Sequence, residues 1–466
     1  MPIDKLPDDV ILAIFYFCII EQTIKQTITK KEVEAWQTLV HVCRQWRRVV
    51  FRSPRRLNLR LFCPTETRTP LKDMLDVWPA ALPLFIQGIV KKGEGLDNTV
   101  AVLERSDRVH HIGLSDLSSY LENILAAMQK PFPELTYLWL LSIKGTTVIP
   151  DSFLGGSAPR LQSLSLCCIP FPGLPKLLLS ATHLIELTLS IIPHSWYISP
   201  KEIITALSTL TTFRRLVLEF ESPRSLPGGG SRDPPPPTRF VLPTLTMLKF
   251  KGVSEYLEDL VSFIDAPQLC FLNITLFNQI FFDTPQSIQF MNRLPTLQAP
   301  KKARLVFKND AAAVVLSSPT DGTGYGEVEV EILCRKSDWQ VSSLEQACTS
   351  CLPPLSALED LYIYENSNSP PDWQDNIDSA LWLELFHSLS AVKNFYLSEK
   401  FALRIAPALQ ELVGGITMDV LPNLQNMVLE GLQPSGPVQE GIVRFVAARE
   451  LSGHPITVSL WERDEV

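Results

Sequence analysis

The 466-residue sequence lacks the long apolar segment and the basic leader that would direct it into or across a membrane. Its longest apolar run, Val10–Ile20, has eleven residues, whereas a spanning helix needs about 18 or more. Asp4, Asp8 and Asp9 stand near the start of this run beside the single Lys5, where a secretory signal would carry basic residues. The nine cysteines are scattered without a disulfide framework. We therefore expect a cytoplasmic or nuclear protein with reduced thiols.

The sequence also lacks the spaced residues of common catalytic and metal sites. It contains no HExxH motif, no GxSxG motif and no Cys/His nucleophile pattern. The pair Cys348 and Cys351 forms a lone CxxC without the second ligand pair that zinc needs. The glycines of 322–326 lack both the Rossmann spacing and a Walker lysine, so they predict a turn. His110 and His111 are adjacent in a predicted strand and should face opposite sides, which prevents a shared metal. We expect no enzymatic activity, no metal and no cofactor.

Charge is distributed unevenly along the chain. Residues 1–60 hold eleven Lys/Arg and six Asp/Glu, which gives them a charge of +5 within a total of −8. Seven arginines and no acids lie between Arg44 and Arg60. A run of this kind is found in nucleic-acid-binding proteins. A solvated basic face near the C-terminus of a helix explains it more simply, because cations favour that end of the helix dipole.

The opening stretch LPDDVILAIFYFC predicts a helix that begins near Asp8 and is apolar on every side. A second helix is predicted over residues 33–51, where apolar residues recur every three or four positions. These residues are Trp36, Leu39, Val40, Cys43 and Trp46. Because two helices cannot shield a helix that is apolar all round, either the following domain or a second protein must cover it.

The two helices together resemble an F-box module. The resemblance is carried by LPDDVILAIFYF and then LVHVCRQWRRVVF, a Leu-Pro start followed by a Val-Cys-Arg-x-Trp-Arg signature. F-box modules dock on a Skp-type adaptor, which joins them to a cullin-based ubiquitin ligase. The resemblance implies a docking surface made of Leu6, Pro7, Ile11, Ile14, Phe15, Leu39, Val42, Cys43 and Trp46. The connector, residues 21–31, is longer than in a compact F-box.

A short pattern then recurs: apolar, any two residues, apolar, any residue, apolar. It is found as VHHIGL, LTYLWL, LQSLSL, LIELTL, FRRLVL, LTMLKF, LCFLNI, LEDLYI, VKNFYL and LQNMVL, starting at residues 109, 135, 161, 184, 213, 245, 269, 358, 392 and 424. Most of the spacings are those of leucine-rich repeats or slightly longer. In five of the ten copies a proline precedes the motif by two positions. Helix-like stretches lie between the motifs.

These repeats predict an α/β fold, a leucine-rich-repeat-like right-handed β/α solenoid preceded by a small all-α F-box helical module. The intervening residues of each motif should point outward on one surface suited to protein binding. Candidate target-facing residues are Tyr137, Trp139, Glu186 and Thr188. EVEVE should place Glu327, Glu329 and Glu331 together on an exposed strand face.

We predict four segments. Residues 1–56 form the F-box, and residues 57–295 form the solenoid with a disordered Pro/Gly-rich loop at 222–240. Residues 296–341 form a β-rich section with a hairpin, and 342–466 form a repeat-like β/α region. The C-terminal segment, together with SPRRLNLRLFC, resembles the expanded F-box families of mushroom-forming fungi.

The sequence therefore favours the substrate receptor of a cullin-based SCF-type ubiquitin ligase. Its partners would be the Skp-type adaptor, through it the cullin, and an unknown protein target, without nucleic acid or membrane. The alternative is a ubiquitin-independent leucine-rich-repeat scaffold or regulator whose N-terminal helices only cap the solenoid.

Overall fold

The computed structural model describes fourteen stretches of the chain, which fall into two compact units, residues 1–187 and 188–466. The described residues are 6–24, 35–52, 57, 59–65, 71–115, 117–143, 147–193, 196–223, 238–277, 284–319, 325–373, 377–412, 420–431 and 437–461. Most of the predicted Pro/Gly-rich loop, together with Gly322 and Gly324, lies outside them. The boundary between the units falls inside the segment predicted as one solenoid.

The first unit begins with helices and continues as alternating helices and parallel strands. Its helices are α1 (Asp8–Ile24), α2 (Ala35–Val40), α3 (Arg44–Arg52), α4 (Leu71–Val77), α5 (Glu94–Leu103), α6 (Leu121–Ala127) and α7 (Leu174–Ser180). Its strands are β1 (Leu61–Pro64), β2 (Leu84–Ile89), β3 (Val109–Ser115), β4 (Tyr137–Leu141) and β5 (Ser163–Cys167). These five strands pair in chain order, each parallel to the next. Strand β6 (Glu186–Ile192) contains the boundary between the units.

The second unit repeats this organisation with one antiparallel insertion. Its strands are β7 (Arg215–Phe220), β8 (Phe240–Val241), β9 (Met247–Gly252), β10 (Ile264–Asp265), β11 (Phe271–Phe277), β12 (Lys302–Phe307), β13 (Ala311–Pro319), β14 (Tyr325–Leu333), β15 (Asp360–Glu365), β16 (Asn394–Leu397), β17 (Asn426–Glu430) and β18 (Thr457–Trp461). Its helices are α8 (Pro200–Leu207), α9 (Ser254–Ser262), α10 (Pro285–Asn292), α11 (Ser337–Ser350), α12 (Ser379–His387), α13 (Glu399–Glu411) and α14 (Pro437–Leu451). The main sheet runs β7-β9-β11-β14-β13-β12-β15-β16-β17-β18, and only β13 is antiparallel to its neighbours.

All ten copies of the sequence motif lie on strands of these sheets, which confirms the predicted mixed α/β fold with parallel strands and helices. In LTYLWL, for example, Leu135, Leu138 and Leu140 are buried, whereas Tyr137 and Trp139 are only half-buried. The alternation of a strand puts successive side chains on opposite faces. One face of each strand therefore builds the core, while the other remains accessible.

The prolines ahead of the motifs have a structural reason. The first apolar residue of a motif donates its backbone N–H to the carbonyl three residues earlier, as Leu135 does to Phe132 (3.2 Å) and Leu269 to Ala266 (3.0 Å). A proline two positions before the motif is therefore the second residue of a four-residue turn. That position favours proline, because its fixed φ matches the turn. The proline signal in the sequence thus marks the turn that leads into each strand.

Buried arginines link successive repeats. Arg108 donates to the carbonyl oxygens of Leu82 (3.3 Å) and Pro79 (3.0 Å). Arg449, on α14, donates to the carbonyl of Pro422 at 3.1 Å. Burial lowers the pKa of both guanidinium groups from the usual value. These charged donors bind backbone oxygens of the preceding repeat and so fix neighbouring repeats to each other.

The predicted second helix is two helices. After α2 the backbone tightens, since the N–H groups of His41 and Val42 donate to carbonyls three residues back. The Cys43 sulfur then accepts the N–H of Trp46 at 3.5 Å, the position of an N-cap, and a new helix begins. The Arg47 guanidinium donates to the carbonyl of Val40 at 2.9 Å and satisfies the end of α2. The single amphipathic helix expected over 33–51 was wrong for this reason.

Candidate protein-binding surfaces

The first part of helix α1, Asp8–Phe17, is buried on one side and exposed on the other. Ile11, Leu12 and Phe15 are buried, and the Phe15 ring meets the Trp46 ring edge-on, with centroids 4.8 Å apart. On another side, Val10, Ile14 and Phe17 recur at spacings of four and three residues and are exposed, Phe17 by 72%. We call these three residues the α1 stripe. Because contiguous exposed apolar side chains often mark interaction sites, the α1 stripe is a candidate protein-binding surface.

The structure divides the nine docking residues predicted from the sequence into two groups. Ile11 and Phe15 are buried where the N-terminal helices pack together, and their part in docking stays a prediction. The other seven keep accessible surface: Leu6, Pro7, Ile14, Leu39, Val42, Cys43 and Trp46. Val42, in the turn between α2 and α3, is 59% exposed. Val10 and Phe17 were not among the predicted residues, although their spacing from Ile14 could have revealed them.

The basic run forms one exposed side of α3. Arg44, Arg48 and Arg52 follow at intervals of four residues and are all exposed, so they form a stripe along the helix. The opposite side of α3 buries Val49 and Val50. The arrangement is that of a solvated basic face, as the sequence favoured.

Helix α3 also packs toward the first repeat. The Phe51 ring lies edge-on to the Trp78 ring at 6.1 Å, and the His41 ring lies edge-on to it at 6.5 Å. Trp78 directly follows α4, and Leu57 and Leu59 between α3 and β1 are buried. The N-terminal helices therefore cover the beginning of the repeat array while the α1 stripe stays accessible.

The two adjacent histidines lie on the same side of β3, not on opposite sides as predicted. The pairing of β2 with β3 shifts register, so that Leu84 faces Val109 and Phe85 faces His111. His110 is the extra residue of a β-bulge, and both imidazole rings lie nearly parallel to the Phe85 ring, at 6.4 and 5.4 Å. Burial, followed by the charge of Arg60, lowers the pKa of His111 to about 4. His111 is therefore neutral at neutral pH.

An aromatic ladder crosses the outward face of the first unit. Phe62, Phe85, His111 and Tyr137 lie on four successive strands, and the rings of His111 and Tyr137 stack with centroids 4.1 Å apart. Trp139 lies two residues beyond Tyr137 on the same face. Tyr137 and Trp139, predicted as target-facing, are thus part of a larger, mostly uncharged surface whose first three members the sequence missed.

The other two predicted target-facing residues lie on β6. Glu186 and Thr188 are both half-buried and share one face of this strand, because they are two residues apart. Burial raises the pKa of the Tyr137 hydroxyl, and the negative charge of Glu186 raises it further. The negative charge of Glu186 therefore acts on Tyr137, the ring of the aromatic ladder on β4.

The outward face of the second unit is charged and internally paired. Arg304 binds Glu327 at 2.7 Å, Lys308 binds Glu331, and Asn273 donates to Glu329. The three glutamates share one face as predicted, but they are half-buried and bonded, which corrects the expectation of an exposed row. Burial, followed by the neighbouring Glu331, raises the pKa of Glu329.

The CxxC pair offers no reactive thiolate. Cys348 and Cys351 are buried and are not joined by a disulfide. Burial raises the pKa of both thiols to about 12, so they remain protonated at neutral pH. The Thr284 hydroxyl donates to the Cys351 sulfur at 3.3 Å. These cysteines fill the core, and within the described residues no group of three or more His, Cys, Asp or Glu is placed to hold a metal ion.

No protein-family model and no curated protein sequence matches the chain. Among solved structures, the chain is similar to the leucine-rich repeat-containing protein LegL7 from Legionella pneumophila. The two are 14% identical over 85% of this chain and 98% of that chain, with a TM-score of 0.27. At this identity and TM-score the similarity assigns neither fold nor function. The leucine-rich repeat character of the present chain rests on its own motifs and strands.

Over the stretches that the structure describes, the helices are too short or too polar to pass through a lipid bilayer.

Proposed function

We propose that this chain is a non-enzymatic receptor that joins a target protein to a cullin-based ubiquitin ligase. Its N-terminal helices dock a Skp-type adaptor, and the outward strand faces bind the target. The α1 stripe is the observation that carries the proposal, because Val10, Ile14 and Phe17 remain exposed on a helix whose other side is packed. The F-box-like sequence of this segment favours a Skp-type adaptor as the partner.

The energetics favour a second protein over this stripe. Burying an Ile, Val or Phe side chain stabilises by roughly 1.5–3 kcal/mol when it passes fully out of water. The stripe and Val42 together therefore offer several kcal/mol to a partner that covers them. The helices beneath are already fixed by the Phe15–Trp46 contact, so docking requires little further ordering of the backbone.

The target-binding role rests on the aromatic ladder of the first unit. Aromatic side chains contribute large contact areas to protein interfaces and are enriched at their energetic centres. Tyr137 and Trp139 extend the ladder, and the carboxylate of Glu186 adds a charge beside it. Such a receptor needs no reactive residue of its own, because holding a target beside a charged conjugating enzyme raises their effective concentration.

Co-purification with the adaptor tests the proposal. The tagged full-length chain is co-expressed with a Skp-type adaptor, and the adaptor recovered per chain is measured. Ile14→Lys and Phe17→Lys should each lower recovery by about tenfold or more, since a buried unpaired charge is costly. Val77→Lys, at an exposed apolar position of α4, is the matched control and should leave recovery unchanged. Failure of the wild-type chain to retain the adaptor, or equal recovery with all variants, would overturn the proposal.

The packing of Phe51 and His41 on Trp78 favours a second candidate, a scaffold whose N-terminal helices only cap the repeats. The same experiment separates the two. A cap without adaptor binding predicts no recovered adaptor from a chain that remains folded and stable.

A further inference from the structure

The aromatic ladder ends at Tyr137 with one face of this ring uncovered. The rings of His111 and Tyr137 are parallel to within 4°, and the two residues lie opposite each other on neighbouring strands. The stack therefore runs across the strands, and the second face of the Tyr137 ring is directed toward β5. Within the described part of the chain, no other aromatic ring or cation stacks on Tyr137.

The residue of β5 opposite Tyr137 is a serine, and the next strand places a carboxylate beside it. Ser163 pairs with Tyr137, and its N–H donates to the carbonyl of Thr136 at 3.1 Å. The N–H of Glu186 donates in the same way to the carbonyl of Gln162, at 3.0 Å. The repeated bond places Glu186 opposite Ser163. Tyr137, Ser163 and Glu186 therefore form one row across three strands.

This row contains a gap about one side chain wide. Neighbouring strands lie about 4.8 Å apart, so the Cα atoms of Tyr137 and Glu186 are separated by about 10 Å. The short side chain of Ser163 leaves the space between them open. Ser165, the next residue on the same face of β5, is also small and lies opposite Trp139. We call the space above Ser163, between the Tyr137 ring and the Glu186 carboxylate, the β5 slot.

The charges around the β5 slot favour a cation. Glu186 is half-buried and forms no ion pair with any residue that the structure describes. Burial, followed by the charge of Arg60, lowers the pKa of His111 to about 4, so no positive charge lies behind the Tyr137 ring at neutral pH. Arg160, which precedes β5, is already bound to Glu134. The carboxylate of Glu186 therefore faces an aromatic ring without a positive charge of its own.

We propose that the β5 slot binds an arginine side chain of the target protein. Its guanidinium would stack on the Tyr137 ring as the fifth member of the aromatic ladder, and its N–H groups would donate to the Glu186 carboxylate. The inference rests on the proposed target-binding role of the strand faces and adds to it the chemistry of the target.

Arginine fits this slot better than lysine does. The guanidinium is planar and stacks on aromatic faces, and its N–H donors match the geometry of a carboxylate. A lysine ammonium supplies the charge without the flat surface. The other end of the ladder already contains such a contact, because the guanidinium carbon of Arg60 lies 5.0 Å from the centroid of the Phe85 ring.

A displayed library of random dodecapeptides, selected on the immobilised full-length chain, tests the proposal. The tightest arginine-containing peptide is labelled with fluorescein, and its dissociation constant is measured by fluorescence anisotropy. Replacing the bound arginine by citrulline, which keeps the shape and removes the charge, should raise the dissociation constant by about tenfold or more. Replacement by lysine should raise it by about threefold or more, because the stacking is lost.

Variants of the chain locate the binding. Glu186→Gln, which keeps the size of the side chain, should weaken the arginine peptide by about tenfold and abolish its advantage over the citrulline peptide. Tyr137→Leu should abolish the preference for arginine over lysine. Ser163→Leu should fill the β5 slot and prevent binding, whereas Ser163→Ala should bind as the wild type does. Glu122→Gln, at an exposed carboxylate of α6, is the matched control and should have no effect.

A library that yields no arginine-containing binder would overturn the proposal. Equal binding of the arginine and citrulline peptides would also overturn it, as would an arginine preference that survives in Glu186→Gln or binding that survives in Ser163→Leu. Adaptor recovery is measured in parallel and should be the same for Glu186→Gln and the wild type. A chain that retains the adaptor without selecting arginine disproves this inference alone. A chain that selects arginine without retaining the adaptor disproves only the ligase role.

Discussion

The first strand of the N-terminal unit and the last strand of the C-terminal unit are both sheet edges, yet only the first is covered. Leu61 and Cys63 on β1 are fully buried, and the chain before β1 supplies buried side chains next to them. Val458 and Leu460 on β18 occupy equivalent core-facing positions and remain exposed. A terminal repeat needs a cap. Within the described residues, the chain before β1 caps the first repeat, whereas the core-facing side chains of β18 remain exposed.

The largest expected difference between the two edges is in stability. Leu61→Ala should lower the free energy of unfolding by about 2–5 kcal/mol, because it opens a cavity in a packed core. Leu460→Ala should change it by less than about 0.5 kcal/mol, as is usual for an exposed position. Urea unfolding of both variants under dilute conditions measures the contrast. Equal losses would show that the last strand is covered within the chain.

The buried Arg449 allows the stability of the last repeat to be changed without changing that of the first. Arg449→Met should cost about 1–3 kcal/mol, because the carbonyls of Leu421 and Pro422 lose a charged donor. Hydrogen exchange should accelerate in α14 and β18 and remain unchanged in α1. Arg444→Met, an exposed change on the same helix, is the control. Faster exchange throughout the chain would mean that the arginine does more than fix this repeat.

Acid should change the stability contributed by the two outward faces in opposite directions. It should lower the contribution of His111 and raise that of Glu329. His111 has a folded-state pKa of about 4, below its ordinary value of 6.5, so the unfolded chain binds the proton first. Its contribution to stability is present above pH 6.5 and is lost as the pH falls toward 4. Thermal melts of the wild type should show this loss, and His111→Asn should reduce it. A wild-type melting temperature that does not fall over this range, or the same fall in His111→Asn, would contradict the assignment.

Glu329 should give the smallest effect of these predictions. Acid should increase its contribution to stability, whereas acid decreases that of His111. Its folded-state pKa is raised above the ordinary value of 4.5, so acidification protonates the folded state first and stabilises it. Glu329→Gln keeps an oxygen for the Asn273 amide and removes the unfavourable charge. It should raise the melting temperature slightly at pH 7 and have no effect at pH 4. A destabilised variant at pH 7 would show that the charge is favourable where it lies.

Much of the fold could be predicted from the sequence because each motif combines three local signals. In LTYLWL the apolar spacing sets the strand, Pro133 marks the turn before it, and a helix-like stretch precedes the turn. Strands β2 and β18 were missed because they carry simple alternation. Leu82, Leu84 and Ile86, for example, are separated by single residues rather than by the two-then-one spacing of the motif.

The candidate surfaces were harder to predict because they depend on neighbours that are distant in sequence. The bulge that brings His110 and His111 to one side arises from the pairing of β3 with β2, which neither histidine encodes. Ile11 and Ile14 are both apolar residues of one helix, and the packing of α2 and α3 against α1 leaves only Ile11 buried. Local patterns indicate that a helix is apolar, whereas the packing determines which side remains for a partner.

Hydrogen–deuterium exchange of the full-length chain with and without a Skp-type adaptor tests the central claim most directly. We expect slower exchange in α1 and in the turn at residues 41–43 when the adaptor is present, with no change in α14 and β18. Unchanged exchange in α1, or protection confined to the strands, would contradict adaptor docking through the N-terminal helices.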